Sequence, residues 1–386
     1  MRISELHDRE DYHAILKATL CRAFLEWLGE AVSLSFSAPS SAQRWRESPL
    51  LSAYTVEEGL CLAGRHFLAD GFRYTQARWR QLPQWVLGSA LASSPGLRWL
   101  SKPAFGLEPG VSEASQIVIL PGNQRIRFFH FGTGRSRVVL KEGFSTDAMD
   151  AEIRVRGQGE TGPFPSILSY DPELLWFEEA ILDGYNLARC PRSFPVEGLA
   201  ARALQRLAAW AEPGLTTPPA GVYVDEVWAA LQELISRAQA KFALSFPPLE
   251  PLLERAYDLG DVQVGPSHGD CQPGNILVDR AGREVSFVDW EFQGRRSQHF
   301  DRLVFVLRSR WLRAFEARAL AFSLGTLSDP LLSPLPTDPE WRRSTLGLFL
   351  LEELRWRLES AESAPFSAVP AELPALLSTI QKVVAL

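Results

Sequence analysis

The sequence has few cysteines and no long apolar run, so it has little that could cross-link the fold or span a membrane. Its four cysteines are widely scattered, with no C-x-x-C pair and no histidines at metal-ligand spacing, which argues against a disulfide framework or a zinc site. No run of about 18 apolar residues occurs, and the opening segment MRISELHDRE lacks the apolar core of a signal peptide. We therefore expect a cytoplasmic protein without a transmembrane segment.

A concentrated basic surface is also lacking. The net charge is −6 at pH 7, and the arginines, although they far outnumber the lysines, are scattered along the chain. Binding nucleic acid takes a basic face that neutralises phosphates. The composition thus argues against a dedicated nucleic-acid-binding protein, while 46% hydrophobic and 22% charged residues are ordinary for a globular chain.

The N-terminal part of the sequence has helical patterns. Four apolar residues recur at a spacing of four: Leu16, Leu20, Phe24 and Leu28. Thr55 and Glu58 form a capping-box pattern ahead of another periodic segment. Proline and glycine become frequent between residues 81 and 112, which indicates a boundary. We expect residues 1–112 to form an N-terminal helical extension.

Residues 113–185 have the pattern of strands. The runs QIVIL, RIRFFHF and SRVVLK are separated by the turns PGNQ and GTGR, which is typical of an antiparallel meander. A short helix that Ser145 and Asp147 can cap follows, and then the apolar run ELLWFEEAIL. Residues 186–386 are expected to form a helical large lobe with the catalytic loop and the acceptor site. The predicted class is α+β, with a small antiparallel-sheet lobe and a larger helical lobe.

The segment NILVDRAGREVSFVD predicts a hairpin. Residues 275–278 and 285–288 are its strands. Asn275 and Asp289 stand seven residues on either side of Gly282, so strand pairing would bring both to the open end. An amide oxygen beside a carboxylate is a hard-oxygen site for Mg²⁺, which takes one or two protein ligands and completes its shell with phosphate and water.

Asp270 precedes Asn275 by five residues and would lie in the loop that enters the same end. A carboxylate there that the metal does not need can accept a proton from an attacking hydroxyl. Phosphoryl transfer needs little else from this side of a site, because positioning and charge neutralisation do most of the work. We therefore expect Asp270, Asn275 and Asp289 to be catalytic.

The other half of such a site must hold a nucleotide. Lys141 ends the strand RVVLK and can reach the α and β phosphates, and Glu152 on the following helix could pair with it. Three nearby acids are alternatives to Glu152: Glu142, Asp147 and Asp150. The PGNQ turn, with Gly122 and Asn123, is favoured over GTGR as the phosphate-covering loop. Gly134 in GTGR is only seven residues before Lys141, which leaves no room for an intervening strand.

With these parts together, the chain resembles the aminoglycoside phosphotransferase and choline kinase family, which has a two-lobed protein-kinase-like fold. The resemblance covers roughly residues 115–386. It rests on the H-G-D-x-x-x-x-N run from His268 to Asn275, the D-W-E run at residues 289–291, and Asp301 ten residues further on.

The resemblance implies transfer of the γ-phosphate of ATP, or of another nucleoside triphosphate, to a hydroxyl of an antibiotic, sugar or amino alcohol. Asp270 would be the base, and Asn275 and Asp289 would hold Mg²⁺.

The resemblance also assigns the nucleotide-binding lobe. Lys141 and Glu152 would form the ion pair of that lobe. The hinge that meets adenine would lie near Glu179 to Ile181. The phosphate-covering turn departs from the family pattern in having a single glycine.

Two other functions stay open. One is a nucleotide-binding pseudokinase scaffold whose N-terminal region recruits a partner protein, and the other is a kinase acting on a protein or glycan. The complete set of Lys141, Asp270, Asn275 and Asp289 argues against a scaffold, which has no use for a base. Residues 1–112 match nothing in the family and could shape the acceptor site, bind a partner or brace the small lobe.

Several neighbouring residues have structural interpretations. His268 is expected to brace the loop, Asp301 to tie that loop to the next helix, and Cys271 to be a small buried side chain. Glu352 and Glu353 could meet a cationic acceptor, but a solvated helix face is the favoured interpretation. The tryptophans at 311, 341 and 356 are expected in the core.

Overall fold

The computed structural model describes residues 11–37, 41–48, 52–71, 103–157, 162–191, 193–242, 244–363 and 369–386, together with a few single residues. They fall into two compact units. The first takes its described residues from 1–160, 164–185 and 189–194, and the second takes them from 161–163, 186–188 and 195–386.

The described helices are α1 (Tyr12–Leu28), α2 (Leu62–Gly71), α3 (Asp147–Arg156), α4 (Val196–Ala211), α5 (Ala220–Phe242), α6 (Glu250–Tyr257), α7 (Phe300–Leu307), α8 (Leu312–Ser323), α9 (Pro339–Ser363) and α10 (Val369–Val384). The described strands are β1 (Ser33–Ser35), β2 (Gln43–Glu47), β3 (Tyr54–Val56), β4 (Pro103–Glu108), β5 (Ile117–Pro121), β6 (Arg125–His130), β7 (Arg135–Leu140), β8 (Ile167–Tyr170), β9 (Trp176–Ala180), β10 (Gly184–Asn186), β11 (Val264–Ser267), β12 (Ile276–Asp279), β13 (Val285–Phe287) and β14 (Gly294–Ser297).

A nine-stranded antiparallel sheet forms the framework of the first unit. Its strand order is β1-β4-β2-β3-β5-β6-β7-β9-β8. The predicted meander is confirmed: β5 pairs with β6 and β6 with β7, and the alternating buried residues of β6 match the expected period of two. The predicted α+β class is confirmed in this unit and in the helical second unit.

The N-terminal region is helical only in part. Helices α1 and α2 lie there, but β1 to β4 lie there too and continue the sheet that was expected for the small lobe alone. Thr55, expected in a helix cap, lies in β3. The described residues on both sides of the predicted boundary at residue 112 belong to one unit. Strands of three to six residues are too short to give a clear periodic signal.

Aromatic packing explains why these short strands are stable. Trp45 of β2 stacks on Phe105 of β4 at 6.0 Å between ring centroids, and Tyr54 meets the same ring edge-on at 5.2 Å. Phe24 of α1 packs edge-on against Phe128 of β6 at 5.7 Å. One hydrophobic core therefore joins the N-terminal strands and α1 to the meander.

The second unit is built around α9. This helix buries leucine and phenylalanine side chains on all sides, including Leu346, Phe349, Leu350 and Leu354, as a central core helix does. Two β pairs lie in the same unit: β11 with β14, and the hairpin of β12 with β13. The loops that leave these pairs carry the predicted catalytic residues. None of the helices in the described parts is apolar over the length needed to cross a bilayer.

Replacement of Phe105 by Ala tests whether β4 belongs to the core. Because Phe105 is only 1% exposed, we expect the free energy of unfolding to fall by about 3–5 kcal/mol. Leu168→Ala, on the edge strand β8 and 51% exposed, is the control and should change it by less than about 0.5 kcal/mol. Urea denaturation measures both free energies of unfolding. A loss for Phe105→Ala as small as that for Leu168→Ala would mean that β4 contributes nothing to the core.

Candidate active site

The loop of residues 268–275 is fixed at its start by the carboxylate of Asp301. Oδ2 of Asp301 accepts from the N–H of His268 at 2.7 Å, and Oδ1 accepts from the N–H of Gly269 at 3.0 Å. Asp301 lies in the first turn of α7 and is buried. The predicted tie between the loop and the next helix is therefore present.

His268 braces the same loop from the other side. Its Nδ1 accepts from the N–H of Asp270 at 3.2 Å, so the proton of the neutral ring lies on Nε2, which is 3.0 Å from the carbonyl of Val288. The ring is fully buried. This confirms the structural interpretation of His268 and connects the loop to the end of β13.

Gly269 has a backbone conformation that requires glycine. Its φ is +82°, and a Cβ atom there would lie 2.1 Å from the carbonyl oxygen of Phe292. The close approach of the two backbones sets the turn that presents Asp270.

The carboxylate of Asp270 has hydrogen-bond donors on both oxygens. Oδ2 accepts from the side-chain amides of Asn275 at 2.8 Å and Gln272 at 2.9 Å, and Oδ1 accepts from Nε of Arg310 at 2.6 Å. The amide nitrogen of Asn275 also donates to the carbonyl of Asp270 at 3.0 Å. The structure thus brings the predicted base and one predicted metal ligand together, and it adds an arginine.

Arg310 belongs to the candidate site although it was not predicted from the sequence. It lies between α7 and α8, 40 residues after Asp270, and no local pattern marks it. Its Nη2 donates to the carbonyl of Gly269 at 2.7 Å, its Nη1 forms an ion pair with Glu353, and its guanidinium carbon lies 3.6 Å from the ring centroid of Trp356. The signal that the sequence offers is indirect: Glu353 and Trp356, which contact Arg310, stand three residues apart on α9.

Burial and charge oppose each other at this ion pair. Burial raises the pKa of Asp270, but the surrounding charges and hydrogen bonds, above all those of the Arg310 guanidinium, together outweigh it, and the pKa falls below its usual value. Burial lowers the pKa of Arg310, but the carboxylates of Glu353 and Asp270 outweigh it and the pKa rises. Both side chains are therefore charged at neutral pH, although that of Asp270 is only 12% exposed and that of Arg310 only 8%.

The register of the β12–β13 hairpin differs by one residue from the predicted one. Ile276 pairs with Phe287, and the N–H of Val288 donates to the carbonyl of Asn275 at 3.0 Å. Asn275 therefore stands opposite Val288, with Asp289 one position beyond. The prediction centred the turn on Gly282, whereas the turn covers four residues, 280–283, between Asp279 and Glu284.

Asp289 adopts a left-handed backbone conformation, with φ and ψ near +60°. It precedes a single 3₁₀ turn, Trp290–Phe292, that leads into β14. Left-handed residues other than glycine carry strain and are concentrated at functional sites. Asp289 lies at the hairpin end, where a metal ligand was predicted, and its left-handed backbone makes it a candidate for a functional residue.

In the first unit, the sheet places the PGNQ turn beside Lys141. Arg125 pairs with Leu140, and the N–H of Lys141 donates to the carbonyl of Gln124 at 2.9 Å. The N–H of Gly122 closes the turn by donating to Arg125 at 2.7 Å, so it is used within the hairpin. The turn that holds Gly122 and Asn123 and the end of β7 are thus neighbours.

Helix α1 covers the end of β7. The ammonium of Lys141, a residue 1% exposed, lies 5.5 Å from the ring centroid of Tyr12. Thr19 Oγ1 accepts from the N–H of Glu142 at 3.0 Å, and Arg22 donates to the carbonyl of Leu140 at 2.6 Å. Of the three roles considered for the N-terminal region, these contacts support bracing of the small lobe.

Glu152 is the buried acid among the candidates near Lys141. It is 1% exposed, and its carboxylate bonds Arg125 on one oxygen and Arg156 on the other. Burial raises the pKa of Glu152, but these guanidinium groups outweigh it and bring the pKa to about 2. Asp150 instead pairs with exposed Arg154. The predicted pairing of Glu152 with Lys141 stays a prediction.

The predicted hinge follows β9. Glu179 is buried within β9 and its carboxylate bonds Arg127 and Arg156. The N–H of Ile181 donates to the carbonyl of Gly134 at 2.9 Å. The GTGR segment is an ordinary hairpin turn, as predicted. Contact of adenine with Glu179 or Ile181 stays a prediction.

Two predicted structural interpretations have different outcomes. Cys271 is fully buried, and burial raises the pKa of its thiol well above the usual value, so it is the inert side chain that was expected. The solvated helix face proposed for Glu352 and Glu353 is wrong, because the two are 3% and 0% exposed. Alternating charge and leucine on α9 hid the partners of these buried acids, which are Arg310 and Arg357 for Glu353 and hydrogen bonds from Ser297 and Tyr223 for Glu352.

The sequence matches the profile of the phosphotransferase enzyme family (APH) over residues 127–334, just over half of the chain. The chain therefore belongs to this family, and the predicted enzyme class, a phosphotransferase, is confirmed. The matched segment contains every predicted site residue except those of the PGNQ turn.

No curated protein matches the sequence. Among solved structures, the fold is similar to a choline/ethanolamine kinase family protein from Mesorhizobium loti, with 14% identity, 70% of this chain and 94% of that chain covered, and a TM-score of 0.43. Plasmodium vivax ethanolamine kinase has 13% identity, covers 84% and 97%, and has a TM-score of 0.44. Aminoglycoside phosphotransferase APH(4)-Ia has 16% identity, covers 70% and 93%, and has a TM-score of 0.44.

Replacement of Glu152 by Gln tests the buried ion pairs of the first unit. A folded-state pKa of about 2 against the ordinary 4.5 means that the charge stabilises the fold above pH 4.5, and that this stabilisation is lost as pH falls towards 2. We expect the variant to lose about 3–5 kcal/mol at neutral pH. Its deficit relative to wild type should shrink below pH 4.5.

Denaturant unfolding across pH measures this deficit. Glu142→Gln is the matched control, because Glu142 pairs with Arg22 while 54% exposed, and it should lose less than about 1 kcal/mol. A deficit for Glu152→Gln that is small, or that does not change with pH, would contradict the assigned ion pairs.

Proposed function

We propose that the protein transfers the γ-phosphate of ATP, or of another nucleoside triphosphate, to a hydroxyl of a small molecule, with Asp270 as the general base. One observation carries the proposal. The charged carboxylate of Asp270 is bonded by the amide of Asn275 in a loop that Asp301 and His268 fix. Membership of the phosphotransferase family supports the reaction class.

In the proposed reaction, the hydroxyl oxygen of the acceptor forms a bond to the γ-phosphorus. The bond from that phosphorus to the β–γ bridging oxygen breaks, and ADP leaves. The hydroxyl proton passes to Asp270, which holds the acceptor oxygen in line before transfer. Because Oδ2 already accepts two amide donors, Oδ1 is the oxygen with room for the hydroxyl.

The residues at the hairpin end fit a magnesium ion. Asn275 uses its amide nitrogen for both bonds to Asp270, which leaves its amide oxygen as a donor to a cation. Asp289 adds a carboxylate one position beyond the residue paired with Asn275. Hard oxygen donors of this kind suit Mg²⁺, which would neutralise the β and γ phosphates when bound. We propose Asn275 and Asp289 as its ligands.

The nucleotide is assigned to residues of the first unit. Lys141 would meet the α and β phosphates, and the turn with Gly122 and Asn123 would cover them. The hydrogen bond from Lys141 to Gln124 supports this assignment, because it keeps the turn beside the lysine. Phosphate binding by a lysine and a tight turn is typical of phosphoryl-transfer enzymes.

The other two nucleotide assignments are less direct. Glu152 would pair with Lys141 and fix its position. Its ion pair with Arg125, which stands opposite Leu140 in the sheet, keeps it near the lysine. The segment from Glu179 to Ile181 would meet adenine. Since the N–H of Ile181 is used by Gly134, the carbonyl groups of this segment are the proposed adenine contacts.

Replacement of Asp270 by Asn tests the base. The variant keeps the size of the side chain but loses the proton acceptor, so nucleotide binding should persist while transfer falls by about 10²-fold or more. Calorimetry measures nucleotide affinity, and formation of the phosphorylated product from a panel of alcohols measures transfer. Asp329→Asn, which changes an ion pair with Arg318, is the control. Equal transfer rates in Asp270→Asn and wild type would remove Asp270 as the base.

Replacement of Asp289 by Ala tests the metal site. We expect Mg²⁺-dependent nucleotide affinity and turnover to be lost together, because a ligand that neutralises the phosphates is removed. Asp279→Ala is the matched control: Asp279 lies at the closed end of the same hairpin and caps the turn through its bonds to the N–H groups of Arg283 and Glu284. Unchanged affinity for Mg²⁺-ATP in Asp289→Ala would place the metal elsewhere.

A further inference from the structure

The guanidinium of Arg310 occupies a complete cation site beside Asp270. Carboxylates meet it on two sides, from Asp270 at 2.6 Å and from Glu353, and the carbonyl of Gly269 meets it at 2.7 Å. The face of Trp356 covers it at 3.6 Å. Carboxylate, carbonyl and aromatic face are the groups that proteins use to hold an organic cation.

Helix α9 supplies one wall of this site. Glu353 and Trp356 are three residues apart and so face the same way. Oε1 of Glu353 also accepts from Arg357 at 3.1 Å, and in the part of the chain that the structure describes, Oε2 is a buried oxygen with no hydrogen-bond partner. The wall therefore presents to Arg310 one buried carboxylate and one aromatic face, and this carboxylate and that of Asp270 make the position of Arg310 one that suits a cation.

The neighbouring acid on α9 is also occupied. Glu352 accepts from the N–H and hydroxyl of Ser297 at 2.7 Å and 2.6 Å, and from the hydroxyl of Tyr223 at 2.5 Å. Glu352 is thus held by Ser297 and Tyr223, and the charge of Glu353 is already compensated by Arg310 and Arg357. The aromatic face of Trp356 beside them is covered by Arg310, a cation of the protein itself.

We propose that Arg310 positions Asp270 and fills the cation site beside it, so that the acceptor is a hydroxyl compound without a positive charge next to the reacting hydroxyl. This inference rests on the proposed function and adds the chemical class of the acceptor. Arg310 holds one lone pair of Asp270 Oδ1, and the hydroxyl takes the remaining place on that oxygen. A cationic group attached close to the hydroxyl would meet the guanidinium at short range and be repelled.

The planar fork of Arg310 accounts for its choice over lysine. It reaches Asp270, Gly269 and Glu353 with three different nitrogens. A lysine has one nitrogen and cannot span the three partners in a fixed geometry. Arg310→Lys is therefore expected to keep the charge and still lose positioning of the carboxylate.

The acceptor class is tested with pairs of alcohols that match in shape and differ in charge. Choline is compared with 3,3-dimethyl-1-butanol, and glucosamine with glucose, at fixed Mg²⁺-ATP. We expect wild type to give the higher kcat/KM with the uncharged member, by about tenfold or more for close like charges. A preference for the cationic members would overturn the acceptor class.

The role of Arg310 is tested by chemical rescue. Arg310→Ala leaves a place of guanidinium size, and we expect kcat to fall by about 10²-fold, since small misplacements of a catalytic group have effects of this scale. Added methylguanidinium should restore the rate about tenfold, the equivalent of a hydrogen bond to a charged group. Methylurea, which is neutral, should not restore it. Arg318→Ala is the matched control, because Arg318 also pairs with an acid and a backbone carbonyl in this unit.

A binding measurement separates this inference from the proposed function. By calorimetry, Arg310→Ala should bind one methylguanidinium and wild type none, whether or not phosphate is transferred. Absence of transfer by wild type to any alcohol would contradict the proposed function and the acceptor class with it, while calorimetry still decides the cation site. Transfer by wild type together with full activity of Arg310→Ala, or no binding of methylguanidinium, would overturn the role of Arg310.

Discussion

A charged carboxylate in a buried loop must be compensated, and this requirement shapes the second unit. An isolated ion taken out of water is strongly destabilised, so Asp270 needs a cation and further donors close to it. Arg310 supplies the charge, and the amides of Asn275 and Gln272 supply the rest. Arg310 in turn needs its own compensation, which Glu353 on α9 gives.

This chain of contacts connects the loop to the helical core. Asp301 holds the start of the loop, His268 ties it to the end of β13, and Gly269 allows the close approach to Phe292. Each contact fixes backbone near Asp270 and not only its side chain. The position of the carboxylate therefore follows from the fold, which is the preorganisation that a phosphoryl-transfer site needs.

The sequence brought together those parts of the candidate site that lie close together along the chain. Asp270, Asn275 and Asp289 share a loop and a hairpin, so spacing and turn residues were enough to associate them. The error of one residue in register came from the turn, because a four-residue loop and a tight turn place Gly282 differently. Residue spacing cannot distinguish a four-residue loop from a tight turn when glycine suits both kinds of turn.

The parts that sequence reasoning missed depend on distant segments. Arg310 reaches Asp270 across 40 residues, and Glu353 lies 43 residues beyond Arg310. An arginine and a glutamate in a helical region are usually solvated, so their burial can be recognised only when α9 is seen at the centre of its unit. The short N-terminal strands were missed because Trp45 and Phe105 stabilise them by packing across the sheet.

The central claim is that ATP gives its γ-phosphate to an alcohol at this site. Phosphorus NMR of wild-type protein with Mg²⁺-ATP and a mixture of uncharged polyols and sugars tests it most directly. We predict that a phosphate monoester resonance grows in step with ADP. Consumption of ATP to inorganic phosphate alone, or bound ATP that persists unchanged with every acceptor, would contradict the account.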